Sequence, residues 1–180
     1  SIYDDMPIET SPLYNKYTDA KKMSPSKVSL STSTTQTIPK FLEKRLGELE
    51  NEICIIQIGT NIYKINLPDD LKSKGLVISS ISDAIKNDSE LVKKSLEASN
   101  SKEDKFTALN NAAFNSGIFI HIPRNLIVEK PIHFMICLSD DGHSTISRNI
   151  IFADESSKAT IESQQAYLEL LNTNLAAKAQ

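Results

Sequence analysis

The chain has 180 residues, of which 39% are hydrophobic and 24% are charged, and its formal net charge is −3. This composition is typical of a soluble globular protein with one core or a core plus a smaller appendage. Lysines are spread among acids, so the sequence lacks the basic face that is typical of nucleic-acid-binding proteins. The longest apolar runs are far shorter than the roughly 20 residues of a membrane span, and the polar N-terminus "SIYDDMPIET" does not resemble a signal peptide. These features predict a cytoplasmic protein.

Residues 1–37 have little apolar periodicity and include the Ser/Thr-rich stretch "SPSKVSLSTSTTQT". This composition predicts an extended or mobile N-terminal segment that lies on another part of the protein. Pro39 is suited to start a helix, because the first helical position needs no backbone donor. The residues that follow have the spacing of one apolar helix face: Leu42, Leu46, Leu49 and Ile53.

The pattern of residues 38–116 predicts an α/β region that ends in a capping helix. Two β-branched runs, "ICIIQI" and "IYKINL", flank the turn residues Gly59, Thr60 and Asn61 and predict a β-hairpin. A short strand, "LVIS", precedes the helical stretch "SDAIKNDSELVKKSLEAS". Within that stretch, Asn87 and Glu90 have the spacing of a pair that caps the start of a helix.

The stretch "KFTALNNAAFNSGIFIHIPRN" changes from helical to strand periodicity at Gly117. Ser101 and Asp104 are spaced as a capping box, and the helix after them places apolar residues on one face: Phe106, Leu109, Ala113 and Phe114. Gly117 can adopt the positive φ that ends a helix. The following strand places Ile118, Ile120 and Ile122 on one side. We expect the helix to cover the apolar interior that these isoleucines begin.

Residues 117–162 are almost entirely strand-like and have corners at Pro123 and Pro131. Proline removes a ladder donor and is excluded from central strands, so these short corners favour a chain that bends and continues over one that folds back. The pattern therefore predicts a parallel β-solenoid rather than a meander. Residues 163–180 form a C-terminal segment that regains helical spacing or is the end of a truncated chain; its periodic residues are Tyr167, Leu170, Leu171 and Leu175.

The sequence contains no nucleophile that can be paired with a base, and we expect no catalytic and no metal-binding residue. Cys54 and Cys137 lie 83 positions apart (137 − 54) inside apolar runs, which is typical of core residues. His121 and His133 alternate with apolar strand residues and are assigned to the outer face, as hydrogen-bonded or solvated surface histidines or, alternatively, as ligands or interface residues. The same outer face is assigned to Met135 and Cys137.

Two acid pairs fall in turn-like loops, where solvated carboxylates are expected rather than general acid and base catalysis: Asp140 with Asp141, and Asp154 with Glu155. His143 lies in the same kind of loop. Single glycines such as Gly59 and Gly75 are not part of a phosphate-binding pattern, so we expect no nucleotide site.

Residues 104–132, "DKFTALNNAAFNSGIFIHIPRNLIVEKPI", resemble a segment of the SufB/SufD scaffold family of the SUF iron–sulfur cluster assembly system. The family pattern is "(R/K)(F/L)xALNxAxxxxG" followed by "FIYVPKxVxxxxPI". The chain departs from it at Ile122 and Arg124, where the family often has Val and Lys. The resemblance extends over residues 67–162, and the lack of a cysteine pattern for cluster ligation favours the SufD branch. The chain matches the pattern in order and spacing at Phe106, Ala108, Leu109, Asn110, Ala112, Gly117, Phe119, Ile120, Pro123, Pro131 and Ile132.

The resemblance implies an α+β N-terminal region followed by a right-handed parallel β-helix, a single-stranded solenoid of which only the first turns, residues 117–162, are present. Family members continue further, so the chain is expected to be a fragment, a truncated form or a short member. The segment at the start of the β-helix is a structural junction, carried by Phe106, Leu109, Phe114, Gly117, Pro123 and Pro131.

The resemblance also implies a function, that of a non-catalytic scaffold subunit acting with a SufB-like subunit and a SufC-like ATPase. An iron–sulfur cluster or a flavin is implied only in the assembled complex. The family's cluster-forming region has no counterpart here, so His121, His133 and His143 do not inherit its role. An open β-helix edge further predicts either a homodimer or an edge that the C-terminal segment covers. Two alternatives stay open: a polysaccharide-active β-helix enzyme, and a cytosolic adaptor domain unrelated to iron.

Overall fold

The computed structural model of the protein describes residues 29–30, 40–98, 105–138 and 143–167. Most of the predicted N-terminal segment, residues 1–37, and the predicted capping box of Ser101 and Asp104 lie outside these ranges. The described elements are, in chain order, β1 (Ser29–Leu30), α1 (Lys40–Glu48), β2 (Ile53–Ile58), β3 (Asn61–Asn66), α2 (Asp69–Ser73), β4 (Val77–Ser80), α3 (Ile81–Asn87), α4 (Ser89–Ala98), α5 (Lys105–Ala113), β5 (Ile118–Ile122), β6 (Ile132–Leu138), β7 (His143–Ser144), β8 (Ile150–Ala153) and β9 (Ile161–Tyr167).

The strands form two main sheets, with the orders β3-β2-β6-β9 and β4-β5-β8, and β1 pairs with β7. The predicted hairpin is confirmed, because β2 and β3 are antiparallel and joined at Gly59 and Thr60. Strands β4 and β5 are also antiparallel. The remaining pairs of the main sheets are parallel: β2 with β6, β6 with β9, and β5 with β8.

The prediction of a right-handed parallel β-helix, a single-stranded solenoid, is wrong. Both main sheets mix antiparallel and parallel pairs. Strands from the two predicted regions also share these sheets, since β2 and β4 belong to residues 38–116 whereas β5 and β6 belong to residues 117–162. The hairpin and the crossing through α3 to α5 bring the early strands beside the late ones, and a reading of local periodicity does not detect such long-range pairing.

Two successive stretches of the chain run parallel to each other: the inner pass, residues 116–138, and the terminal pass, residues 143–167. Phe119 lies opposite Ile150, 31 residues later (150 − 119). The corner after β5 repeats at the same interval (156 − 125), because Asn125 and Ser156 both have left-handed backbone conformations, with φ of 63° and 60°. The proline corners are thus confirmed as places where the chain bends and continues.

The main core lies between the two sheets. It is built from alternate residues of β2 and β6 on one side and of β4 and β5 on the other, with Leu76, Leu126 and Val128 at its margin. The inward-facing isoleucines that the sequence predicted for β5 belong to this core. Its buried strand residues are Ile53, Ile55, Ile78, Ile118, Ile120, Ile122, Ile132, Phe134 and Ile136.

Two further apolar clusters cover the outer faces of the sheets. Under α1, Leu49 packs with Met135 and with residues of β2. Under α3 and α4, the ring of Phe119 is fully buried. The assignment of this side of β6 to an exposed outer face is therefore wrong: Met135 is 5% exposed, and Cys137, which was also interpreted as a core residue, is fully buried. The reason is that α1 occupies the face that the sequence left open to solvent.

Two local predictions also change. The helical stretch after β4 begins at Ile81, where the Ser80 side chain accepts a hydrogen bond from the backbone N–H of Asp83, and Asn87 ends α3 rather than capping a new helix. The first five residues of the predicted C-terminal segment, residues 163–167, are part of β9. The rest of that segment lies outside the described residues.

Candidate functional site

The junction between α5 and β5 is organised around Gly117. Its φ of 142° lies in the region that favours glycine, and its backbone approaches the terminal pass closely. A Cβ atom built on Gly117 would lie 1.9 Å from the carbonyl oxygen of Arg148. Only a residue without a side chain fits this contact. The Gly117 carbonyl in turn accepts a hydrogen bond from the N–H of Ile81, which fixes the start of α3.

Polar side chains tie α5 to the terminal pass. The Asn110 side chain donates to the carbonyl oxygen of Ser147 at 2.8 Å, and the Arg148 guanidinium donates to the Asn110 side-chain oxygen at 3.2 Å. Arg148 also bonds the side chain of Asn111. These bonds join residues 37 or 38 positions apart, so the helix end and the terminal pass are positioned together.

Two asparagine side chains accept hydrogen bonds from backbone N–H groups at the same junction. The side-chain oxygen of Asn115 accepts from the N–H of Ile146, and that of Asn149 accepts from the N–H of Ile118. The hydroxyl groups of Ser116 and Ser147 lie 2.9 Å apart. Side-chain amides here substitute for backbone partners that an irregular turn lacks.

The residues of the predicted structural junction do not share one environment in the fold. Phe114 packs with Phe119 on the outer face of β5, rather than over the isoleucines of the main core as predicted. Leu109 is half-buried, and the side chain of Phe106 is outside the described part of the chain. Pro123 follows β5 directly, and Pro131 immediately precedes β6.

His121 is not a free surface histidine. Its Nε2 lies 2.9 Å from the Asp154 carboxylate, and its ring stacks on Phe152 with centroids 5.7 Å apart. The ammonium group of Lys94, from α4, lies 5.3 Å from the centre of the same Phe152 ring. The hydrogen bond from His121, helped by the charges of His121, Lys94 and Arg124, lowers the pKa of the Asp154 carboxyl group. Sequence reasoning treated Asp154 as a solvated loop acid.

His133 is in a similar position one sheet away. Its Nδ1 lies 3.3 Å from the Glu162 carboxylate, and only 15% of its side chain is exposed. Cys54, His133 and Glu162 occupy one row across β2, β6 and β9. This row resembles a nucleophile, a base and an orienting acid, but the thiol of Cys54 is fully buried and directed at the carbonyl oxygen of Leu49, 3.9 Å away.

The burial of both cysteines decides their chemistry. Desolvation raises the pKa of the Cys54 thiol and of the Cys137 thiol, which disfavours the reactive thiolate. The interpretation of both as core residues is confirmed. Among the residues that the structure describes, no group of three or more His, Cys, Asp or Glu side chains is arranged to hold a metal ion.

An open groove of about 430 Å³ lies between α2 and the corner before β6. Ile127, which is 61% exposed, forms part of its wall. The groove contains both charge signs, and its lysines are paired: Lys74 with Asp70 at 3.8 Å, and Lys130 with Glu52 at 3.5 Å. It offers a mixed contact surface rather than a centre for acid–base chemistry.

The Asp154 contact makes stability depend on pH. Because its pKa is lower in the folded protein, the contact stabilises the fold above the unfolded value of about 3.9 and is lost as pH falls through the folded value. Asp154→Asn is expected to lower the free energy of unfolding at pH 7 by at most about 1 kcal/mol, since the side chain is partly exposed. Urea unfolding of both proteins at several pH values measures this difference.

The difference between the two proteins should shrink as the pH falls from about 4 through the lowered folded value, and it should vanish below that value, where the carboxyl group carries its proton in both states. Glu129→Gln removes an exposed carboxylate outside this contact and is the matched control. A constant difference between wild type and Asp154→Asn at every pH would contradict an ionic contribution.

Comparison with known proteins identifies the family. The profile of the SufBD protein N-terminal region matches residues 15–134, which is 120 of the 180 residues (134 − 15 + 1). The iron–sulfur cluster assembly protein SufD of Bacillus subtilis (strain 168) is 30% identical over 121 residues, covering 65% of this chain and 28% of the relative. Iron–sulfur cluster assembly SufBD family proteins of Staphylococcus aureus strains USA300 and NCTC 8325 are 28% identical over 100 residues, covering 55% of this chain and 22% of theirs.

The matched region thus spans less than a third of the length of these relatives. No helix within the described ranges is both long and apolar enough to cross a membrane. The profile match covers two-thirds of the sequence and includes the whole stretch from α1 to the first half of β6. The resemblance seen in the sequence is confirmed, and the chain belongs to the SufBD family, whose N-terminal region it contains.

Proposed function

We propose that this protein acts in iron–sulfur cluster assembly as a non-catalytic scaffold subunit of the SufD type. The observation that carries the proposal is the match of residues 15–134 to the SufBD N-terminal region. The relatives named above are iron–sulfur cluster assembly proteins, one of them a SufD. The buried thiols and the carboxylate-paired histidines support a structural role for the chemically capable residues of the described part of the chain.

The proposed partners are a SufB-like subunit and a SufC-like ATPase. A cluster, or a flavin, belongs to the assembled complex as cargo or cofactor rather than to this chain alone. The polysaccharide-active enzyme was an alternative because of the expected β-helix, and the mixed sheets remove that basis. The adaptor alternative has no observation in its favour.

Self-association is part of the same proposal. Strands β8 and β9 are the last members of their sheets among the described strands, and neither contains proline or lysine, the residues that natural edge strands use against pairing. We expect a homodimer in the absence of partners. Size-exclusion chromatography with light scattering measures the mass, and a monomer at every concentration would contradict this part of the proposal.

Co-purification tests the partner proposal. The full-length protein, tagged and isolated from its own cells, should retain a SufB-like protein and a SufC-like ATPase, identified by mass spectrometry. A chain with Glu48→Gln, which changes one exposed ion pair of α1, serves as a matched control and should retain both. If neither protein co-purifies with the wild-type chain, the proposed function is refuted.

A further inference from the structure

The hairpin of β2 and β3 changes register close to its turn. Ile56 lies opposite Lys64, but the next residue, Gln57, lies opposite Ile62. Tyr63 is therefore an extra residue of β3, which is the arrangement of a β-bulge. The turn that follows Gln57 and Ile58 has two residues.

The bulge decides which face of the sheet two residues of β3 occupy, because opposed residues of neighbouring strands share a face. Ile62, opposite Gln57, packs on the main core, and Tyr63 packs on the cluster under α1. A three-residue turn, residues 59–61, would remove the bulge, since Ile58 would then lie opposite Ile62. Tyr63 would lie opposite Gln57, on the side of the main core. Turns of two and of three residues are both common in hairpins, so the sequence needs a reason to adopt one of them.

Gln57 makes a contact that belongs to the two-residue turn. Its side chain is fully buried, and its Nε2 donates to the carbonyl oxygen of Gly59 at 2.8 Å. Gly59 has a φ of 58°, and its N–H donates to the carbonyl oxygen of Cys137 in β6 at 2.7 Å. The Gln57 amide thus joins the central strand to a turn that is itself bonded to the next strand.

Apolar packing does not explain a glutamine at this position. Gln57 is the polar residue in an otherwise apolar strand, and its cross-strand partner in β6 is Ile136. Its Oε1 is buried and has no hydrogen-bond partner among the described residues. An unpaired buried acceptor lowers stability, and an apolar side chain of the same length would avoid this loss. The contact with Gly59 is what the glutamine provides in return.

We propose that Gln57 selects the two-residue turn of the hairpin over the three-residue turn, and so sets which faces Ile62 and Tyr63 occupy. The three pairs from Cys54 to Ile56 are the same in both turns, so the choice affects only the end of the hairpin. The net contribution of one neutral hydrogen bond corresponds to about a fivefold change in the ratio of two conformations. This is the preference that the Gln57 amide adds.

Gln57→Met tests the proposal in the 180-residue chain, since it removes the donor and the unpaired acceptor at similar length. The measured quantity is the amide hydrogen-exchange rate of Gly59 divided by the mean rate of Cys54 to Ile56. This ratio should rise about fivefold, and the midpoint of urea unfolding should stay the same or rise. An unchanged ratio would overturn the selection of the turn. A lower midpoint would overturn it as well, because Gln57 would then stabilise the fold as a whole.

Ile56→Val is the matched control, because it removes one methylene group from the same strand and leaves the Gln57 amide in place. It should lower the midpoint without changing the ratio, and an equal rise of the ratio in both variants would contradict the proposal. Wild-type exchange gives a readout that does not require a variant to fold. The Gly59 amide should depend less on denaturant than the amides of Cys54 to Ile56, and equal dependence would also overturn the proposal.

Discussion

Replacing Gly117 with alanine is expected to reduce the free energy of unfolding by more than about 3 kcal/mol. The added Cβ would lie 1.9 Å from the Arg148 carbonyl oxygen, and the backbone φ of 142° is already unfavourable for alanine. Relief requires the junction to move away from the terminal pass, which breaks the bonds of Asn115 with Ile146 and those of Ser116 with Ser147 and Arg148. Urea unfolding followed by circular dichroism measures the loss.

Gly47→Ala is the matched control for this change. Gly47 lies exposed in α1, and a Cβ atom there meets nothing within 4 Å. Alanine lowers the conformational entropy of the unfolded chain and favours the helix, so this variant should gain about 0.4–1 kcal/mol. Equal stability of the two alanine variants would contradict the role given to Gly117.

Phe119→Ala is the second change with a large expected effect, a loss of about 3–5 kcal/mol. The Phe119 ring is fully buried and is the largest member of the cluster with Ile81, Ala84 and Val92. Its removal leaves a cavity under α3 and α4 that this tightly packed face cannot fill. Thermal and urea unfolding measure the loss, and the two helices should show increased amide exchange.

Ile127→Ala provides the comparison for Phe119. Ile127 is also a large apolar residue, but it is 61% exposed, so its truncation should change stability by no more than about 0.5 kcal/mol. A loss at Phe119 as small as that at Ile127 would mean that α3 and α4 do not rest on β5. The pair of variants therefore tests the outer cluster directly.

Short-range signals predicted the local elements well. The apolar spacing after Pro39 indicated α1, although Leu49 and Ile53, which were placed on the same helix face, lie after its last residue, Glu48. The β-branched runs around Gly59 indicated the hairpin. Proline corners indicated a chain that bends and continues, and β5 and β6 do have parallel neighbours in β8 and β9, but the solenoid predicted from these corners is wrong. The family resemblance rested on the same junction sequence and is confirmed by the profile match.

Long-range pairing was the part that local patterns could not specify. The sequence places β2 and β4 in a separate region, yet they join the sheets of β5 and β6. All six residues of β2 are buried, and its sequence is apolar on both faces. Strands of this kind are covered on both faces, so the continuous apolar run was the signal that β2 lies inside a sheet.

The outer face was misread for a related physical reason. Alternation assigns His121, His133, Met135 and Cys137 to one side of their strands, but it does not tell whether that side meets water or a helix. In the fold, α1 covers Met135 and Cys137, and the terminal pass supplies carboxylates to the histidines. The partners of His121 and His133 lie 33 and 29 residues later (154 − 121, 162 − 133), so only the interval between the two passes could have indicated them.

Native mass spectrometry of purified components tests the proposed scaffold function most directly. The full-length protein mixed with purified SufB-like and SufC-like proteins is expected to form one species whose mass is the sum of stoichiometric amounts of all three. Gly47→Ala, a surface change in α1, should form the same species. Separate masses for the three proteins at all concentrations, with this protein fully folded, would contradict its assignment as a subunit of an iron–sulfur cluster assembly complex.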